Sequence, residues 1–86
     1  MQVQYSLTIK AFCPVDPEME DEYALVIRSD HKILVEHILK AVEQCTEGPI
    51  YQEELTCTIQ QALGGNVEVE TIGLHSGVRT LVVCKG

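Results

Sequence analysis

"TEGPI", Thr46 to Ile50, is all that lies between two segments of helical pattern, "HKILVEHILKAVEQC" (His31 to Cys45) and "YQEELTCTIQQAL" (Tyr51 to Leu63). In the first, Leu34, Ile38, Ala41, Val42 and Cys45 recur at the spacing of one helix face, and Ser29-Asp30 offers capping side chains before it. In the second, Tyr51, Leu55, Ile59, Ala62 and Leu63 mark an apolar stripe that stops at Gly64-Gly65, a C-terminal signal. Five residues that include Gly48-Pro49 hold a turn and nothing longer. The two helices are therefore consecutive. A β-α-β-β-α-β order, which needs two strands between its helices, is excluded.

On either side the period changes to two. Val3, Tyr5, Leu7, Ile9 and Ala11 alternate with Gln2, Gln4, Ser6, Thr8 and Lys10, which predicts a strand with one wet face. It ends near Cys13-Pro14, since a proline disfavours helix at the residue before it, and Pro14 to Glu22 reads as a loop. That loop carries five carboxylates between Asp16 and Glu22. Tyr23 to Arg28 then reads as a second strand, a hairpin partner of the first. After the helices, Asn66 to Leu74 sets Val67, Val69 and Thr71 against Glu68, Glu70 and Ile72, and Val78 to Lys85 carries "VRTLVVCK", with a turn at Ser76-Gly77. The order β-β-α-α-β-β predicts an α+β fold, an antiparallel four-stranded sheet with two helices on one face. Its other face and its edges stay uncovered, so a homo-oligomer joined through strand edges is expected.

A chain of 86 residues has room for one modest core, and residues 1–86 read as a single domain. Thirteen acids against six bases give a net charge of -7, a surface that repels phosphate backbones and anionic lipid alike, so neither nucleic acid nor membrane is an expected partner. The N-terminus "MQVQYSLTIK" has no basic region followed by an apolar stretch, and no apolar run approaches the ~20 residues of a membrane span. Cys13, Cys45, Cys57 and Cys84 are widely spaced, without a C-x-x-C pair or a zinc-finger histidine pattern. Reduced thiols in a cytoplasmic protein, with no metal, are the expectation.

Topology and two local motifs together resemble the tunnelling fold, a family whose β-β-α-α-β-β subunits join edge to edge and bind purines or pterins between subunits. "YQEELTCTIQQAL" is similar to the anchor helix of type I GTP cyclohydrolases and to the "FHED" helix start of 7-cyano-7-deazaguanine (nitrile) reductases. That likeness implies Glu53, with Gln52 beside it, as the substrate-binding pair. "FCPV", Phe12 to Val15, resembles the "LCPVTGQPDF" segment that holds the reductases' nucleophilic cysteine, which falls on Cys13. "VEVETIGLHSGVRTLVV" looks like the strand segment that follows in the reductases. The acid seven residues after the nucleophile, an aspartate in the reductases, is Glu20 here, and the E-S-K-S-L-K cofactor motif is reduced to "DHKILV", which keeps Lys32 and has Val35 at the second lysine. The C-E-H-H zinc segment of the cyclohydrolases is absent.

The resemblance thus implies a purine-like (7-deazaguanine) or pterin ligand, chemistry at Cys13 and Glu20, NADPH as a cofactor contacted by Lys32, and nitrile reduction through a Cys13 thioimidate. An oxidoreductase of queuosine biosynthesis is the enzyme reading. A non-catalytic ligand-binding or assembly module of the same fold is its alternative. The residues leave both open. Free cysteine is among the most buried residue types, and nearby carboxylates disfavour a thiolate, so Cys13 is either an activated nucleophile or a packed small residue. Glu53 is either a carboxylate accepting two parallel N–H donors from a guanine-like edge or an exposed acid at a helix start. His31, His37 and His75 lack metal spacing and read as surface or structural, with His75 near enough to a turn to reach a ligand.

Overall fold

The computed structural model describes residues 1–86. Strands β1 (Val3–Phe12) and β2 (Glu20–Ser29) form a hairpin, helices α1 (Val35–Cys45) and α2 (Gln52–Ala62) follow, and β3 (Glu68–His75) and β4 (Val78–Lys85) form a second hairpin. The sheet is antiparallel throughout, in the order β1-β2-β3-β4, with β2 and β3 joining the hairpins at its centre. The α+β expectation holds in order and topology.

Strand alternation sends the odd-numbered residues of the sheet's two central strands inward: Tyr23, Leu25 and Ile27 of β2 and Val69 and Thr71 of β3 are buried. Ile38 of α1 and Leu55 and Ile59 of α2 join them in the core. Helix α2 lies over β3 and β4, and α1 packs beside α2. The opposite face of the sheet is open, with Leu74, Leu81 and Val83 exposed on it.

Two boundaries differ from the sequence expectation. Strand β2 begins at Glu20, inside the acid run, because a strand with one wet face accommodates alternate carboxylates. Helix α1 begins at Val35 and has no side-chain cap. The capping groups expected to serve it are engaged earlier: the Ser29 hydroxyl accepts the His31 backbone N–H at 3.1 Å, and the Asp30 carboxylate sits 2.8 Å from His31 Nδ1. The β3–β4 turn is where "HSGV" places it, with positive φ at Ser76 (51°) and Gly77 (83°), the signs a two-residue type I′ turn requires.

Candidate functional site

A cleft of about 200 Å³ opens where the end of β1, the start of β2, the start of α2 and the end of β3 meet, and Cys13, Tyr23, Gln52, Glu53, His75 and Thr80 are among the residues lining it. Backbone bonds assemble it. The Ile50 N–H donates to the Phe12 carbonyl at 3.0 Å, which draws the turn between the helices onto the end of β1, and so sets the first residues of α2 beside Cys13. The Cys13 N–H donates to the Met19 carbonyl at 3.2 Å and closes the hairpin loop. Forty residues of sequence separate Cys13 from Glu53, and both line this one cleft.

Gln52 is buried, and its amide is fully engaged. Its Nε2 donates to the Thr71 carbonyl (3.2 Å), the Thr71 hydroxyl (3.2 Å) and the Thr80 carbonyl (3.0 Å), while its Oε1 lies 3.1 Å from His75 Nε2. Thr56 adds to the same network, its hydroxyl 2.6 Å from that of Thr71. Gln52 therefore acts as a brace between α2, β3 and β4. Glu53, the next residue, is exposed and free to meet a ligand.

The carboxylates of the acid run divide by face. Glu20 pairs with Phe12 in register and lies on the outer face of the sheet, away from the cleft. Asp21 lies on the inner face, with Oδ2 3.8 Å from His75 Nδ1. Sequence spacing selected Glu20; one residue of strand parity makes Asp21 the acid beside the cleft. The phenol of buried Tyr23 is pushed up to about 12, chiefly by burial, with the charges of Asp21 and Cys13 adding to the effect. Its ring lies against His75, centroids 5.8 Å apart and planes tilted by 50°.

Lys32 is elsewhere. It lies beyond the far end of β2, in a groove with His31, His37 and Lys40 between the start of α1 and the end of α2. The next residue, Ile33, donates its N–H to the Tyr5 hydroxyl at 2.9 Å, and the strand from Tyr5 to Cys13 rises roughly 25 Å. Within one chain, Lys32 therefore does not line the cleft that holds Cys13. No group of three or more His, Cys, Asp or Glu side chains is placed to hold a metal ion, all four cysteines are free, and no helix is long and apolar enough to cross a membrane.

His75 carried little signal in the sequence. The letters "FHED" put a histidine before the glutamate; this chain has Gln52 there and brings an imidazole to it from β3.

Comparison with known proteins finds no matching family model and no similar curated protein. Among solved structures, the chain is similar to one described as the crystal structure of the archaeosine synthase QueF-Like in the apo form, with a TM-score of 0.72 over 96% of this chain and 90% of that one, at 17% sequence identity. That is a likeness of fold, and it agrees with the β-β-α-α-β-β order and the four-stranded antiparallel sheet.

Proposed function

We propose that the cleft binds a 7-deazaguanine or closely related purine-like base, with Glu53 as its anchor and Cys13 as a nucleophile toward a nitrile on that base. The observation that carries this reading is the meeting of Cys13 and Glu53 in one cleft. The likeness in fold to an archaeosine synthase QueF-Like protein supports the same ligand class. The Glu53 carboxylate, in the first turn of α2, accepts a pair of parallel N–H donors from a guanine-like edge. The Cys13 sulfur adds to the nitrile carbon, and the nitrile nitrogen takes a proton, giving a thioimidate. Lys32 is not among the residues lining the cleft, and a reading that stops at ligand capture, without a hydride step, is the second possibility.

We infer that when copies of the chain pair through their strand edges, a neighbouring edge borders this cleft of about 200 Å³. Glu53→Gln tests the anchor. It replaces a two-oxygen acceptor by one carbonyl and an opposing amide, and calorimetric titration with 7-deazaguanine is expected to show binding weakened by about 1.5–3 kcal/mol. Equal affinity would return Glu53 to the solvent-exposed surface.

A further inference from the structure

We propose that His75 is the base that takes the proton of Cys13. The inference rests on the reading of Cys13 as the cleft's nucleophile and adds the group that activates it.

Among the side chains lining the cleft, His75 is the one basic group; Cys13, Tyr23, Tyr51 and Glu53 are acids. Asp21 and Tyr23 from β2 lie beside its ring, and Glu53 from α2 and Cys13 from the end of β1 line the same cleft. A neutral imidazole offers one ring nitrogen as a proton acceptor, the usual partner of a cysteine nucleophile.

Gln52 decides which ring nitrogen does this. Its Nε2 is spent on Thr71 and Thr80, so its Oε1 is the atom presented to His75 Nε2 at 3.1 Å, and an amide oxygen accepts only. Nε2 must therefore carry hydrogen. Neutral His75 is then the Nε2–H tautomer, and Nδ1 holds the free lone pair. Nδ1 faces Asp21 at 3.8 Å, too long for a direct hydrogen bond and close enough for a charge pair once the ring is protonated. In the transfer the S–H bond of Cys13 breaks, its electron pair stays on sulfur, and the proton moves to Nδ1. The resulting imidazolium has Gln52 on one side and Asp21 on the other.

Cys13 alkylation by iodoacetamide, read by mass spectrometry against exposed Cys57 in the same sample, tests the assignment without any base bound. His75→Asn and His75→Gln, each checked for folding by circular dichroism, are expected to slow Cys13 relative to Cys57 at least tenfold at pH 7. The deficit should close above roughly pH 9, where a thiol ionises without help. An unchanged ratio at pH 7, a deficit that persists at alkaline pH, or a wild-type Cys13 unreactive at pH 7 would each overturn it. A failure to bind 7-deazaguanine would count against the ligand reading and leave the alkylation result standing.

Discussion

Gly73 has no side chain because the Tyr23 ring fills the space one would take: a Cβ built there would lie 2.6 Å from Tyr23 Cε1 and 3.2 Å from His75 Nε2. The two residues are register partners on adjacent strands, so the ring rests over the glycine and holds His75 at the cleft. Gly73→Ala is therefore expected to destabilise the protein by about 1–3 kcal/mol in urea unfolding, through overpacking against an aromatic ring. A neutral result would show that the ring moves freely. Tyr23 also makes a pH prediction. A solvated tyrosine ionises at 10.0 and this one at about 12, so between those values the unfolded chain releases a proton that the folded chain keeps. Stability from this group is full below pH 10 and falls as pH rises through the window. Denaturant midpoints should fall less steeply over that range in Tyr23→Phe than in the wild type, and parallel curves would contradict the buried phenol.

Helix α2 is fixed to the sheet through its first residue. Gln52→Leu leaves the buried carbonyl of Thr71 and the carbonyl of Thr80 without the donors they now have, at about 1–3 kcal/mol for each buried group left unpaired. A loss of about 2 kcal/mol or more is expected in denaturant unfolding; a loss under about 0.5 kcal/mol would mean that water replaces the amide. Elements were the most legible level of the sequence. Gly48-Pro49 marks the turn between the helices and Gly64-Gly65 the change of period after α2, and β4 spans Val78–Lys85 as its β-branched run indicates. The start of α1 was hidden because Ser29 and Asp30 fit a helix cap and a local turn equally well, and the turn takes them. The face of each acid in Glu20-Asp21-Glu22 was hidden too, since three consecutive carboxylates show no alternation. Cys13 and Glu53 stood out because their motifs are local. His75 did not: its role arises from contacts with Asp21 and Gln52 that only the register of two hairpins creates.

At the scale of the molecule, the sheet offers β1 and β4 as edges without neighbours in the chain, and an outer face with Leu74, Leu81 and Val83 in solvent. Long unpaired edges and these exposed apolar side chains both favour pairing with further copies. Light scattering at micromolar concentration is expected to return a multiple of the 9.6 kDa chain mass, and a strictly monomeric mass would leave the cleft as a single-chain site. The central claim is narrower: the cleft joins a base anchor to a thiol nucleophile. Its most direct test is mass spectrometry after incubation with 7-cyano-7-deazaguanine. The account predicts a gain equal to the whole ligand on the peptide that contains Cys13, none in Cys13→Ala, and less in Glu53→Gln. An unmodified Cys13 at ligand concentrations that saturate the cleft, or a gain at Cys45, Cys57 or Cys84 in its place, would contradict it.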